Sequence, residues 1–181
     1  MLLGKYLFTQ IDGQLTGGRI VETEAYRGPE DRGSHAYNNL YTPRTQVMFS
    51  QGGVSYVYLC YGIHYLFNIV SGDEGNPHAI LVRGIEPVTG IETMLVRRNM
   101  SGLAPQITAG PGAVAQALGL TKAHNALSLQ GQTVWLEDRG ELDATETIIT
   151  GPRVGMNFEG PWHSVPWRFS LKGNRYVSKA K

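Results

Sequence analysis

Short runs of apolar residues, bounded by glycine, proline, asparagine or aspartate, recur along most of the chain. Runs of this length that are rich in β-branched and aromatic residues are typical of strands. Near the start of the sequence, GKYLFTQI, DGQ and RIVETEAY predict a strand, a turn and a second strand. Further strands are predicted from AILVRGIEP, QTVWLED, ETIITGPRVG and WRFSLKGNRYVS. The chain is therefore expected to be rich in β-structure.

The stretch VSYVYLCYGIHYLFNIVS, residues 54–71, contains one internal turn signal, Tyr61–Gly62. It therefore predicts a β-hairpin with its tip at these two residues. Aromatic cross-strand pairs in a β core would explain Tyr56 and Tyr58. Tyr61 differs, because no core can cover a residue beside the turn glycine. An exposed aromatic side chain at a hairpin tip suits insertion into the minor groove of DNA.

Helical spacing is restricted to two segments. VTGIETMLVRRNM places Ile91, Met94, Leu95 and Arg98 at helical intervals. PGAVAQALGL begins with proline and ends at Gly119, as short helices do. The helices are few and do not alternate regularly with the strands. We therefore predict an α+β fold with a curled, mostly antiparallel sheet and not a doubly wound one.

The composition is that of a folded globular protein. The chain has 181 residues, of which 41% are hydrophobic and 17% charged, so one compact domain over residues 1–181 is expected. Cys60 is the single cysteine, which excludes an internal disulfide and a cysteine-based metal site and fits a reducing cytoplasm. No apolar run is long enough to span a bilayer, and no signal peptide is expected.

The net charge of +1 is small for a protein that binds nucleic acid over a large surface, because phosphate neutralisation usually requires a strongly basic balance. Any nucleic-acid face is therefore expected to be local. Arg27, Arg32 and Arg44 are candidates for it, as are Lys172 and Arg175. Ordinary solvated surface charge explains these residues equally well from composition alone.

The stretch VETEAYRGPEDRGSHAY, residues 21–37, carries the main candidate chemistry. Alternation along a strand places Glu22, Glu24 and Tyr26 on one face. A carboxylate beside an aromatic side chain on a half-buried strand is a candidate for acid–base work, although a solvated or arginine-paired carboxylate is more common. His35 alone is weak evidence of catalysis. The sequence contains no HExxH motif and no second histidine at ligand spacing, so a metal site is not expected.

Several motifs, in order, resemble a known family. RIVETEAY, GPED, SHAY and TPR are followed by YVYLCYGIHYLFNIV, AILVRGIEP, AGPGAVAQALGL and PRVGMNFEGPW. From Leu3 to its C-terminal strand, the chain is similar to the alkyladenine (3-methyladenine) DNA glycosylases of the mammalian type. The resemblance implies a single α+β domain with a protruding β-hairpin that enters the minor groove of DNA.

The resemblance also implies an activity. Such enzymes flip out alkylated or deaminated purines, of the class of 3-methyladenine, 7-methylguanine, hypoxanthine and ethenoadenine, and hydrolyse the N-glycosidic bond. We therefore expect a monofunctional glycosylase that needs no cofactor and acts as a monomer on double-stranded DNA. It is expected in the bacterial cytoplasm, associated with the nucleoid and not with membranes. No lysine lies in the motifs, so no Schiff-base route is expected.

The matching motifs imply roles for three residues near the reacting bond. Glu24 of VETEAY corresponds to the general base that activates water. Arg83 of LVRGIEP corresponds to an arginine that helps to hold this water, and Val154 of PRVG would contribute a backbone carbonyl there. A carboxylate at this place suits the chemistry, because glycosidic cleavage develops positive charge on the sugar.

The resemblance also implies a binding pocket and a wedge. Tyr26 and His35 would stack on one face of the flipped base, with Tyr58 on the other side. Asn68 would clash with the 2-amino group of guanine. Tyr61 would intercalate in the place of the flipped nucleotide.

These roles constrain the hairpin. A two-residue loop at Tyr61–Gly62 would place Tyr58 and Asn68 on opposite faces, because side chains alternate strictly. A three-residue loop from Tyr61 to Ile63, or a bulge, places them on one face, and Gly62 can supply the positive φ. The expected pairs are then Cys60–His64, Tyr58–Leu66 and Tyr56–Asn68.

Two other functions stay open. A non-excising DNA- or RNA-binding module on the same fold would need neither Glu24 nor Arg83. A hydrolase of free nucleosides would need no wedge such as Tyr61. Release of free purine from methylated duplex DNA distinguishes the three hypotheses.

Overall fold

The computed structural model describes residues 1–157 and 160–179, which form one compact α+β domain. Among these residues there are eight strands and two α-helices. The strands are β1 (Tyr6–Ile11), β2 (Gln14–Arg27), β3 (Ser55–Cys60), β4 (His64–Val70), β5 (His78–Thr89), β6 (Val134–Glu137), β7 (Ile148–Gly151) and β8 (Arg168–Leu171). The helices are α1 (Ile91–Arg98) and α2 (Pro111–Leu118), and five short 3-10 helices lie at Tyr37–Asn39, Gln46–Phe49, Pro105–Ile107, Lys122–His124 and Pro161–His163. The predicted fold class is confirmed.

All strand pairs of the sheet are antiparallel, in the order β3-β4-β5-β2-β1-β6. Along one edge, the first half of β2 pairs with β1 and its second half with β8, which in turn pairs with β7. Residues 22–24 therefore have a neighbouring strand on both sides. This arrangement removes the side chains of Glu22, Thr23 and Glu24 from solvent.

Two irregularities interrupt the pairing of β2 with β5 close to the glutamates. Ile20 pairs with Ile85 and Glu22 with Gly84, so Val21 is an extra residue on β2. Thr23 then pairs with Val82, so Arg83 is an extra residue on β5. Bulges bend a strand and re-aim side chains, often beside functional sites. Strict alternation fails at Val21, which is buried in the core together with Ile20.

The main hydrophobic core lies between the sheet and the two helices. It contains Leu7 and Phe67 of the sheet, Met94 of α1, and Val114 and Leu118 of α2. A smaller cluster forms separately under the loops that follow β2; it comprises Ala36, Val47, Met48, Tyr56, Val70 and Ala79. The helices and loops thus hold β2 to β5 between two packed layers.

The hairpin has the three-residue connection that the pocket requires. Cys60 pairs with His64, Tyr58 with Leu66, and Tyr56 with Asn68, which confirms the predicted register. Tyr61 and Gly62 both have positive φ, at 50° and 71°, and the N–H of Ile63 donates to the Cys60 carbonyl (3.0 Å). The Tyr61 side chain is 93% exposed. Its predicted exposure at the tip is confirmed.

Two predicted strands are shorter than the sequence suggested. WRFSLKGNRYVS forms a strand only to Leu171, because the chain turns at Gly173 (φ 75°). Tyr176 and Ser178 then pack back as buried residues. ETIITGPRVG is a strand only from Ile148 to Gly151. Both non-strand segments reach the candidate site.

Candidate active site

A cavity of about 580 Å³ opens on the sheet face beside the hairpin. Its walls come from β2, β3, β4 and β5 and from two loops, around residues 33–35 and 154–156. All eight residues to which the sequence analysis assigned a role line this cavity: Glu24, Tyr26, His35, Tyr58, Tyr61, Asn68, Arg83 and Val154. The structure brings them together, while their individual roles stay predictions.

Glu24 is fully buried, and three donors surround its carboxylate. The Tyr26 hydroxyl donates to Oε2 (2.9 Å), and the Val154 N–H donates to Oε1 (2.7 Å). Arg83 Nη1 lies 3.3 Å from Oε1. An ionised carboxylate only accepts hydrogen bonds, so this surrounding matches the charged, basic form. Oε2 keeps a lone pair that can take a proton from water.

The contact with Val154 involves a different atom from the one that the motif implied. Its N–H, and not its carbonyl, bonds to Glu24. The turn at residues 154–155, with Gly155 at φ 77°, directs this N–H toward the carboxylate. The predicted role of the carbonyl in holding water is not touched by this contact and stays a prediction.

Arg83 bridges the carboxylates of Glu22 and Glu24, which lie two residues apart on β2. Its Nε donates to Glu22 Oε1 (2.9 Å), while Nη1 faces Glu24. All three side chains are buried. Because Arg83 is the extra residue of a bulge on β5, its side chain reaches both glutamates of the opposite strand. Arg83 thus places one positive charge between Glu22 and Glu24, and Arg168 Nε, 2.7 Å from Glu22 Oε1, supplies the second.

The aromatic wall is organised around His35. Arg44 Nη2 lies 3.1 Å from its Nε2 and can only donate, so Nε2 accepts and Nδ1–H donates to the Tyr56 hydroxyl (2.8 Å). Burial, together with the charge of Arg44, lowers the pKa of His35 to about 4. His35 is therefore neutral at physiological pH. Arg44 also lies over the Tyr58 ring, 4.9 Å from its centroid.

His35 and Tyr58 do not face each other across a gap. Their ring centroids are 4.6 Å apart and their planes make an angle of 79°, an edge-to-face contact. This geometry leaves no space between the two rings for a base held as in the sandwich that the resemblance implied.

Tyr26 and Asn68 complete the pocket floor. Burial and the adjacent Glu24 carboxylate raise the pKa of Tyr26 well above its usual value, so its hydroxyl stays protonated and donates. Asn68 is buried, and its Nδ2 donates to the Tyr56 carbonyl (3.1 Å) across the hairpin. This bond fixes the orientation of its amide. Both side chains are therefore held rigidly at the cavity surface.

Residues 1–175 match the model of the methylpurine-DNA glycosylase (MPG) family. The chain belongs to this family. The match covers nearly the whole sequence and includes every residue to which a role was assigned.

Curated bacterial proteins with the name "Putative 3-methyladenine DNA glycosylase" are similar over the same range. The protein of Chlamydia felis is 44% identical over 171 residues, covering 94% of this chain and 87% of its own. That of Desulfitobacterium hafniense is 42% identical (98% and 90%), and that of Bacillus mycoides is 40% identical (98% and 91%). The chain is therefore a DNA glycosylase of base-excision repair. The mammalian type in the resemblance is a finer assignment that these bacterial relatives do not address.

Sequence reasoning missed a buried ion pair behind the pocket of the glycosylase. Arg153 Nη1 and Nη2 donate to the two oxygens of Asp31 (2.5 and 2.8 Å), and neither side chain is exposed. The Arg153 guanidinium also lies over the rings of Tyr26 (4.6 Å) and Trp167 (5.3 Å). The pair therefore supports the Tyr26 wall. Asp31 belongs to the stretch of residues 21–37 that carries the main candidate chemistry, but nothing in the sequence indicated its distant partner.

The partners of Glu22 were missed as well. Besides Arg83, the glutamate accepts from Arg168 Nε (2.7 Å) and from the hydroxyl and N–H of Ser178 (2.8 and 2.6 Å). The one available signal was the alternation that places Glu22 on the same face as Glu24. It indicated a second carboxylate but not the residues that balance it.

Within residues 1–157 and 160–179, no group of three or more histidine, cysteine or acidic side chains could hold a metal ion. No helix in the same part of the chain is long and apolar enough to cross a membrane.

Asp31→Asn should destabilise the glycosylase by about 3–5 kcal/mol, because Arg153 would keep a buried charge without its partner. Urea unfolding of wild type and variant measures the difference. Glu30→Gln is the matched control, since Glu30 pairs with Arg27 at the surface (2.6 Å), where such a loss costs only about 0–1 kcal/mol. Equal effects of the two substitutions would contradict the proposed support of the pocket.

Stability should depend on pH through His35. Its pKa is about 4 when folded and 6.5 in the reference state, so between these values the unfolded chain binds more protons. Stability is then fully present above about pH 6.5 and is lost as the pH falls toward 4. Urea unfolding at pH 7 and about pH 4.5 should show a smaller loss for His35→Gln than for wild type. Substitution of the exposed His163 should leave the loss unchanged; an unchanged loss in His35→Gln would refute the assignment.

Proposed function

We propose that this glycosylase flips a damaged purine from duplex DNA into the cavity and hydrolyses its N-glycosidic bond with water activated by Glu24. The product is an intact strand with an abasic site. The observation that carries the proposal is the carboxylate of Glu24, buried and held by three donors at the floor of an aromatic-walled cavity. A volume of about 580 Å³ is typical of small-ligand pockets.

The reaction follows from the surroundings of Glu24. As the C1′–N bond breaks, its electron pair leaves with the purine and positive charge develops on the sugar, which the carboxylate stabilises. A water oxygen bonds to C1′ and gives its proton to Oε2 of Glu24, the oxygen with the free lone pair. In this proposal Arg83 and the Val154 carbonyl hold the water. Water is the nucleophile, so no covalent enzyme intermediate forms.

The substrate class is the one that the family resemblance implies, and the pocket walls support its cationic members. Tyr26, His35 and Tyr58 offer aromatic surfaces, and tyrosine rings attract a cation by about 0.5–2 kcal/mol per contact. Alkylated purines such as 3-methyladenine and 7-methylguanine are cationic and leave readily; hypoxanthine and ethenoadenine belong to the same proposed class. Asn68 would exclude guanine by contact with its 2-amino group.

The hairpin supplies the wedge in this proposal. Tyr61 projects from the tip and is almost fully exposed, so it can enter the minor groove and fill the space that the flipped nucleotide leaves. Filling this space offsets an unstacking cost of a few kcal/mol. One copy of the hairpin and cavity suffices for a single flipped base, so we also propose that the enzyme works as a monomer, at the nucleoid in the cytoplasm.

Glu24→Gln should lower single-turnover excision from methylated duplex DNA by about 10²–10⁴-fold, with DNA affinity retained. The amide keeps the shape but cannot take the proton. Released purine and abasic sites are measured, and borohydride should trap no protein–DNA adduct. Excision near the wild-type rate would remove Glu24 from its role. No excision by the wild-type protein itself would favour a binding module, and purine release from free nucleosides alone would favour a nucleosidase.

Tyr61→Ala should slow excision from duplex DNA by about tenfold or more, since a few kcal/mol of unstacking is no longer offset. Excision from a single-stranded oligonucleotide should change much less, because that substrate is not stacked in a duplex. Val96→Ala is the control, as Val96 is another highly exposed apolar residue, on α1, and does not line the cavity. Equal losses on both substrates would show that Tyr61 is not a wedge.

A further inference from the structure

Glu22 lies next to the candidate base but does not line the cavity. It is fully buried, and both of its oxygens are bonded. Oε1 accepts from Arg83 Nε (2.9 Å), Arg168 Nε (2.7 Å) and the Ser178 hydroxyl (2.8 Å), and Oε2 accepts from the Ser178 N–H (2.6 Å). So many donors leave no place for a substrate. Glu22 acts, therefore, only through its partners.

Ser178 joins the C-terminal segment to this cluster at four points. In addition to its two bonds with Glu22, its hydroxyl accepts from Arg83 Nη2 (3.2 Å) and its carbonyl accepts from Arg168 Nη2 (3.0 Å). The segment is anchored just before this residue by the buried Tyr176. A Cβ on Gly84 would lie 2.6 Å from the Tyr176 carbonyl oxygen. Only glycine at that position lets the segment approach β5 so closely.

Three different partners fix the orientation of the Arg83 guanidinium. Nε and Nη2 are held by Glu22 and Ser178, and only Nη1 faces Glu24, at 3.3 Å. An arginine side chain that is not held by other partners commonly forms a bidentate pair with a neighbouring carboxylate, with two parallel N–H···O bonds. Such a pair would occupy the lone pairs of Glu24 and stabilise its charge, which would make it a weaker base.

We infer that Ser178 and Glu22 are positioning residues. They keep Arg83 from forming a bidentate pair with Glu24, so that the Glu24 carboxylate stays available to water. The inference rests on the proposed function. Glu22, Glu24, Arg83 and Arg168 together carry two negative and two positive charges. The cluster is therefore neutral, and Ser178 adds no charge to it. Removal of the Ser178 hydroxyl takes one donor from Glu22 and the acceptor from Arg83 Nη2, and it leaves Arg83 free to select another acceptor.

The dependence of the excision rate on pH reflects the charged groups around Glu24. The charged or titratable groups that face it or its direct partners come from β2, β3, β5, β8 and the loop after β7; they are Glu22, Tyr26, Tyr58, Arg83, Arg168 and Arg153. Ser178→Ala alters none of these charges directly. A shift of the profile in this variant therefore reports a movement of Arg83.

The test is single-turnover excision from methylated duplex DNA as a function of pH, with the full-length protein. Ser178→Ala should lower the plateau rate by about 10- to 100-fold, as the loss of partners that orient a functional group does elsewhere. Its acid limb should move to lower pH by about one unit, because a closer arginine favours the charged carboxylate. DNA affinity should stay unchanged. Ser178→Thr keeps the hydroxyl, so its plateau rate and the position of its acid limb should be close to those of the wild type.

Two controls separate positioning from folding. Ser55→Ala removes another buried serine hydroxyl, on β3, whose bonds go to His124 and Leu127 and not to the cluster, and should leave the profile unchanged. Ser178→Cys keeps the volume but offers only a weak acceptor; it replaces Ser178→Ala if that variant does not fold, and the same shift is expected.

A lowered plateau with an unmoved acid limb, a wild-type profile in Ser178→Ala, or a Ser178→Thr variant as defective as Ser178→Ala would each overturn the inference. Glu24→Gln, measured on the same duplex, separates this failure from that of the proposed function. If Glu24→Gln is inactive and Ser178→Ala behaves as wild type, only the positioning role is lost. If Glu24→Gln excises normally, both fall.

Discussion

The site depends on one constraint: two carboxylates, Glu22 and Glu24, are buried two residues apart on one strand. Burial of a charge is costly unless it is paired and hydrogen-bonded. Arg83 from β5 and Arg168 from β8 supply the compensating charges. For these arginines to reach them, β2 must have strands on both sides, and β5 must carry a bulge at Arg83. The topology of the sheet and the chemistry of the cavity therefore have the same origin.

Local features of the fold could be predicted well from the sequence. The register of the hairpin followed from strict alternation and from the need for Tyr58 and Asn68 to share a face, and the structure has these pairs. The two helices were marked by proline, glycine and spacing. The later strands were predicted too long, since apolar spacing does not reveal where residues such as Arg153 or Tyr176 leave the sheet to make distant contacts.

The residues of the site that belong to family motifs could be predicted from the sequence. Glu24, Arg83 and the aromatic wall came from the family resemblance, and they meet in one cavity. Pairings over long distances in sequence, such as Asp31 with Arg153 and Glu22 with Ser178, had no local signal, because a charged residue in a sequence does not show whether it is buried. The edge-to-face contact of His35 with Tyr58 was equally out of reach, since it depends on side-chain torsions that residue types leave open.

The path of the C-terminal segment also has a consequence for biosynthesis. The cluster that surrounds Glu22 joins residues separated by 156 positions in the chain, so its closure is among the most non-local contacts of the fold. During vectorial synthesis, β2 leaves the ribosome long before Ser178 exists, and its buried glutamates have no complete set of partners until then. Until then, Arg83 Nη2 lacks its Ser178 partner. If Ser178 has the inferred positioning role, Arg83 takes its final orientation only after synthesis has reached Ser178.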